Sequence, residues 1–391
     1  MIETIHIENY KSIHSLDLEL GRVTVLIGEN GSGKSNILEA IALASAASQN
    51  KLDNEFLVSR GIRVNNSKFM KSAFNYEDHT SEVEEKEIKI NIRCGKQSIS
   101  YILDSKNSPY SKWNVTKSLD PLPKESHELE QNAERFLALE IKESEKTVLS
   151  IFLEQKLKEI LNRYKDFEDQ IYLEDYLVFS PENSSLRLFE KEAQIEPLGI
   201  NGEGLYKLLI VTAKTEPKKI NVIKENLSLI SWFENFDLPE SQFGNLEIVI
   251  KDKYIEQLES EFYNHKNTNE GFLFLLFYIL LFVSDKTPKF FAIDNIDASL
   301  NPKLCTELTK KIVQLAKEYD KQVILTTHNP AILDGIDLTD EEQKILVVSR
   351  NKKGHTRTRT IKPLRVPEGD IPVELSEAFL GGMLGGLPKH F

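Results

Sequence analysis

The run Gly28-Glu29-Asn30-Gly31-Ser32-Gly33-Lys34-Ser35 follows the spacing G-x-x-x-x-G-K-[ST] of a phosphate-binding loop. Each residue type has a chemical task there. Glycines let backbone N–H groups curl around phosphate oxygens with no Cβ in the way. A helix starting at the loop adds unpaired N–H groups and the positive end of its dipole. Lys34 reaches the outer phosphates, and Ser35 offers a hydroxyl to Mg²⁺. The candidate nucleotide contacts in this stretch are Asn30, Gly31, Ser32, Gly33, Lys34, Ser35 and Asn36.

A second set of reactive residues lies in the last third of the chain. Phe290-Phe291-Ala292-Ile293-Asp294 is an apolar run ending in a carboxylate, which can hold Mg²⁺ opposite Ser35. Asp297-Ala298-Ser299-Leu300-Asn301 follows directly. His328 lies 34 positions after Asp294, at the end of another apolar run. Asn269-Glu270-Gly271 heads a long apolar segment, with Gly271 lying 23 positions before Asp294. Each signal is weak alone, because a carboxylate after an apolar run is usually a strand end. Their order and spacing carry the weight.

These groups need elements to hold them. Val23 to Ile27 is a β-branched apolar run, the pattern of a buried strand, and Asn36 to Leu43 are helix formers. Strand, glycine loop and helix is the context a phosphate loop requires. Ile2, Ile5 and Ile7, then Leu16, Leu18 and Leu20, alternate with polar residues and predict an antiparallel pair ahead of that strand. Residues 50 to 170 are richer in Lys, Glu, Asn and Ser. Within them, Glu87 to Arg93 and Ser98 to Leu103 predict strands of a second small sheet, Ser105 to Ser118 a loop, and Glu128 to Leu139 and Lys146 to Tyr164 helices. Tyr176 to Ser180 predicts a strand, Leu205 to Lys214 a helix, Lys219 to Phe236 another helix and Leu246 to Ile250 a strand. Pro197 to Gly204 is a glycine-rich turn, a weak second candidate for a phosphate cradle. From Asn269 onward helices at 271–284 and 302–319 alternate with strands at 290–293, 323–326 and 345–348. That rhythm implies a parallel sheet covered on both faces.

Composition narrows the class. Of 391 residues, 40% are hydrophobic and 28% charged, as in ordinary globular proteins. A formal net charge of −12 argues against a chain coated in nucleic acid, although a local basic groove stays open. Cys94 and Cys305 form no ligand or redox motif and read as buried free thiols in a reducing cytoplasm. The start of the chain lacks the pattern of a signal peptide. The apolar stretch Phe272 to Val283 is too short to span a bilayer, so the expected location is cytoplasmic, with no membrane partner.

In order, these motifs resemble the RecF/SMC-like branch of ABC-type ATPases, and are similar to the bacterial OLD-like and Septu-like "AAA family" ATPases of phage defence. The opening Ile5-His6-Ile7-Glu8-Asn9-Tyr10-Lys11-Ser12-Ile13, a strand running into a basic turn, fits that branch. The resemblance covers residues 1–48 and 269–350 and implies an α/β fold. That fold is a P-loop NTPase head of ABC type, a parallel sheet core with antiparallel N-terminal strands plus a mixed α+β and helical insert lobe. It divides the chain into head residues 1–49, an insert at 50–240, head residues 241–361 and a tail at 362–391. By the same resemblance Phe290 to Asp294 is a Walker B motif, Asp297 to Asn301 a D-loop, His328 a switch histidine and Asn269-Glu270-Gly271 a degenerate signature in place of Ser-Gly-Gly. The cofactors implied are ATP and Mg²⁺, the latter on Ser35 and Asp294. Two heads would sandwich two ATPs, with Asn269, Glu270 and Gly271 capping the site of the opposite subunit.

One departure bears on rate. The position after Asp294 is usually a Glu that polarises the attacking water, and here it is Asn295. An amide positions water but does not take its proton. The candidate catalytic residues are Asn295, Asp297 and His328, and the expected hydrolysis is slow. The resulting expectation is an ATPase subunit of an anti-phage defence or DNA-surveillance complex, a homodimer controlling a nuclease or toxin encoded nearby, with DNA as a further candidate partner. The alternatives are a nucleotide-gated scaffold with negligible turnover and a RecF-type repair ATPase. A transporter ATPase fits the degenerate signature poorly. No TOPRIM acidic clusters or H-x-x-E or H-N-H motif stands out, so the effector is expected on a separate chain.

Overall fold

The computed structural model describes residues 1–64, 67–72, 74, 87–105, 112–120, 162, 165–189, 195–238, 248–255, 268–363 and 373–385. The expected helix at 128–139, and nearly all of that at 146–164, lie outside them. Strands are β1 (Thr4–Tyr10), β2 (Ile13–Glu19), β3 (Val23–Ile27), β4 (Ile88–Cys94), β5 (Gln97–Asp104), β6 (Asn114–Asp120), β7 (Val178–Phe179), β8 (Phe233–Asp237), β9 (Val249–Asp252), β10 (Phe290–Ile293), β11 (Gln322–Thr327), β12 (Gln343–Arg350) and β13 (Thr356–Thr360). The helices used below are α1 (Lys34–Ser48), α2 (Leu205–Thr215), α3 (Pro217–Leu227), α4 (Glu270–Val283) and α5 (Pro302–Glu318).

Two sheets carry the head. One has the order β13-β12-β3-β11-β10-β7, parallel except for the antiparallel hairpin β12–β13. The other is antiparallel, with the order β2-β1-β4-β5-β6. The period-2 alternation of the buried strands splits the core. Val23, Val25 and Ile27 of β3, Phe291 and Ile293 of β10 and Val323 and Leu325 of β11 face the layer that contains α2–α5. Leu26, Phe290, Ala292 and Ile324 face the other way, onto α1 and the antiparallel sheet. Helix α1 thus lies between the two sheets, with apolar neighbours around most of its surface.

Helix α4 is apolar all round because it is buried all round. Phe272 through Val283 are each no more than 2% exposed. A fully buried side chain of this size contributes about 1.5–3 kcal/mol before entropy is counted. Pro302 sits just inside the start of α5, whose N-cap Asn301 accepts a hydrogen bond from the Leu304 N–H at 3.0 Å.

Three expectations are corrected. Residues 88–104 form no separate small sheet, because β4 pairs with β1 and extends the N-terminal hairpin's sheet. The loop expected through Ser118 contains β6, which pairs with β5 from Asn114 to Asp120; residues 106–111 lie outside the described set. The helix expected over 219–236 ends at Leu227. Phe233 and Phe236 instead enter β8, buried against α3 and α4 and paired with β9. Tertiary burial overrides the helical spacing there.

Candidate nucleotide site

Strand β3 ends at Ile27, the loop follows, and α1 starts at Lys34, as the sequence implies. Gly31 and Gly33 have φ of 74° and 111°, values that L side chains rarely adopt. Gly28 is required for a different reason: a Cβ there would lie 2.0 Å from the Val348 carbonyl oxygen of β12. The exposed tip is Asn30-Gly31, while Ser32, Gly33 and Lys34 are buried. The Lys34 ammonium donates to the Gly28 carbonyl at 2.8 Å and the Glu29 carbonyl at 3.1 Å. Burial pushes its pKa down to about 8, against the opposing pull of Asp294, Asp297 and Glu29.

The parallel pairing of β3, β11 and β10 brings the ends of these strands together. Ser35 Oγ donates to Asp294 Oδ2 at 3.0 Å, and Thr326 Oγ1 donates to Asp294 Oδ1. Two hard oxygen ligands therefore converge with no intervening side chain. Among the described residues no group of three or more His, Cys, Asp or Glu could hold a metal. The pair fits Mg²⁺, which is usually held by one or two protein oxygens with phosphate and water completing the octahedron. His328 lies beside the Gly28 backbone; burial, and then the nearby Lys34 charge, lower its pKa below the usual imidazole range. Asp297 accepts a bond from Thr327 Oγ1 at 2.6 Å. Asn295 is exposed, with φ of 57°, and its N–H is tied to Thr326 Oγ1 at 2.9 Å.

The chain thus brings together Lys34, Ser35, Asp294, Asp297 and His328. No described hydrogen bond joins Asn269, Glu270 or Gly271 to the loop. Asn269 is the N-cap of α4, but its side chain caps nothing. Glu270 accepts a hydrogen bond from Ser299, whose φ is 60°, and Gly271 faces the Ser299 carbonyl. The N-terminus of α4 is therefore held by the stretch that follows Asp297. Residue Asn36 donates to Ser12 Oγ at 2.7 Å and accepts from Arg63 at 3.2 Å.

Sequence inspection missed a cationic wall beside Asn36. A cavity of about 480 Å³ is lined by Lys11, Arg63, Lys71 and Arg350 with Phe69 and Phe74. Buried Glu39 of α1 holds two of its cations, Lys11 and Arg63. Only the basic turn at Lys11 hinted at this; the other cations are scattered along the chain. A larger cavity, of about 700 Å³, opens at the far ends of the strands, between Gln49, Arg60, Leu177 and Lys289. It mixes acids and bases and is remote from Lys34 and Asp294. The glycine-rich turn at Pro197 to Gly204 is not an open cradle either. Buried Glu203 folds its own carboxylate back into it, accepting from the Asn201 N–H at 3.1 Å.

Residues 23–334 match the family described as "AAA domain, putative AbiEii toxin, Type IV TA system". The chain belongs to this family. The AAA-domain match spans the phosphate loop, Asp294 and His328. An uncharacterized protein of Methanocaldococcus jannaschii is 45% identical over 67 residues, which are 16% of this chain and 31% of that one. The DNA replication and repair protein RecF of Rickettsia typhi is 44% identical over 43 residues, 11% of this chain and 12% of that protein. The matched stretches thus cover less than a third of either relative. Among solved structures, an SMC head bound to the C-winged helix domain of ScpA is similar with a TM-score of 0.54 at 15% identity, covering 92% of this chain and 97% of that one. The shared feature is the fold, an SMC-type ATPase head. No helix among the described residues is long and apolar enough to cross a membrane.

Proposed function

We propose that this AAA-family chain binds ATP with Mg²⁺ at Asn30–Asn36 and Asp294, dimerises around two such nucleotides, hydrolyses them slowly and thereby controls a separate effector, a nuclease or toxin, in anti-phage defence. The observation that carries the ATP reading is the convergence of Lys34, the Ser35–Asp294 pair and His328 on one loop. Mg²⁺ would neutralise the β- and γ-phosphates, held by Ser35 and Asp294. Lys34 would bind the outer phosphates, and His328 would face the terminal one from the end of β11. The toxin–antitoxin description of the family supports an effector under nucleotide control. The local RecF match favours a second reading, a DNA-repair ATPase.

No hydrogen bond among the described residues joins Asn269, Glu270 or Gly271 to their own loop, so in this reading completion of the site falls to a second copy. Light scattering with and without a non-hydrolysable ATP analogue tests this. The expected result is a doubling of mass with the analogue, abolished in Gly271→Arg. Equal mass in both conditions, with Gly271→Arg indistinguishable from wild type, defeats the sandwich. Asn295 sets the rate in this account. General-base help is worth about 10²–10⁴-fold, so Asn295→Glu should raise phosphate release. A fall in that variant would place the base elsewhere. Phosphate release with and without DNA separates the surveillance and scaffold readings.

A further inference from the structure

The hairpin β12–β13 lies wholly beyond residue 334, where the family match ends. It nevertheless touches the phosphate loop at both ends. Val348 meets Gly28, and Thr356 meets Gly33, where an added Cβ would lie 2.2 Å from Thr356 Oγ1. Thr356 is fully buried. Its hydroxyl donates to the Ser32 carbonyl at 3.0 Å, and its own N–H donates to the Ser12 carbonyl at 2.9 Å.

The direction of the network is set by hydrogen counting. Arg63 donates to Asn36 Oδ1, so Asn36 turns its amide nitrogen to Ser12 Oγ. Thr356 spends its one hydroxyl hydrogen on Ser32. The 2.8 Å contact between Ser12 Oγ and Thr356 Oγ1 is therefore donated by Ser12. One chain of donors runs from Arg63 through Asn36, Ser12 and Thr356 to the back of the loop.

In a trans peptide the carbonyl and the following N–H point in opposite directions. Holding the Ser32 carbonyl outward therefore turns the Gly33 N–H inward. Gly33 has no Cβ to restrict its backbone, so something else must hold that peptide. We propose that Thr356 is a positioning residue for the nucleotide: its hydroxyl pins the Ser32–Gly33 peptide so that the Gly33 N–H faces the phosphates. This rests on the ATP reading above. The contact would be made alike with ATP and ADP, so it acts on affinity and not on the chemical step.

The test uses the full chain and fluorescent ATP and ADP analogues with Mg²⁺. Thr356→Val keeps the shape and removes the hydroxyl; Thr356→Ser restores it. The expected result is about tenfold weaker binding of both nucleotides in Thr356→Val, recovery to within about twofold in Thr356→Ser, and a raised KM with kcat unchanged. Wild-type affinity in Thr356→Val overturns the proposal. So does a Thr356→Ser variant as weak as Thr356→Val, which would assign the effect to methyl packing on Gly33. Should Thr356→Val fail to fold, Ser12→Ala cuts the same chain one link earlier, and is expected to weaken both nucleotides about threefold; unchanged affinity there overturns the proposal. A wild-type chain that binds neither nucleotide defeats the ATP reading and this inference with it, whereas tight wild-type binding with Thr356→Val unaffected defeats this inference alone.

Discussion

Two buried lysines sit at opposite ends of one parallel sheet. Lys34 follows β3 at the strands' C-terminal ends, and Lys321 precedes β11 at their N-terminal ends. Both are pushed down by burial, to about 8 and about 7 respectively. Their partners differ. Lys321 donates to the carbonyls of Ser284, Thr287 and Pro288 and to Thr287 Oγ1, at 2.9 to 3.1 Å. An ammonium has three hydrogens, so four oxygens saturate it. Lys34 has two carbonyls and a loop with left-handed glycines around it. A saturated buried lysine stitches the end of α4 to the sheet. One with two carbonyl partners beside a glycine loop keeps a hydrogen for the outer phosphates of the proposed nucleotide. The glycine turn at 197–204 makes the same point from the other side, since Glu203 already supplies its anion.

The comparison breaks first on stability. Lys321→Met leaves the four oxygens without their donor and should cost about 1.5–3 kcal/mol in urea unfolding without nucleotide, with nucleotide affinity unchanged. Lys34→Met removes a poorly partnered buried charge and should leave unfolding within about 0.5 kcal/mol of wild type, or raise it. Equal losses in the two variants would erase the distinction.

A smaller effect appears in pH. Below about 8 Lys34 is already charged, and binding takes up no proton. Above it the phosphates must recharge the amine, so ATP affinity should fall as pH rises from 8 to 9, by at most about tenfold per unit. Lys34→Arg, which stays charged, should flatten that slope. A wild-type affinity that is level from pH 7 to 9 would contradict the burial-lowered pKa of Lys34. The stability sign is separate: folded Lys321 binds fewer protons than unfolded between about 7 and 10.5, and Lys34 between about 8 and 10.5, so the burial cost fades as pH rises through those windows.

Much of the candidate site was legible because it is local. Gly28–Ser35 is a contiguous run, and Asp294 and His328 each end an apolar strand whose period the sequence displays. The parallel order that brings Ser35 to Asp294 follows from strands alternating with helices. The braces were not legible. Ser12 and Thr356 are 344 positions apart and are ordinary polar residues. Arg63, Lys71 and Arg350 meet only because the fold brings their elements together. Lys321 reads as one more surface lysine until Ser284, Thr287 and Pro288 close around it. The helix expected over 219–236 overran because Phe233 and Phe236 fit helical spacing as well as they fit a buried strand.

The most direct measurement is a calorimetric titration of ATP with Mg²⁺ into the wild-type chain and into Lys34→Ala. A charge-assisted contact to the outer phosphates is worth about 1.5–3 kcal/mol, so the variant should bind about ten- to a hundredfold more weakly. Equal affinity in the two proteins would contradict the assignment of Gly28–Ser35 as the nucleotide site.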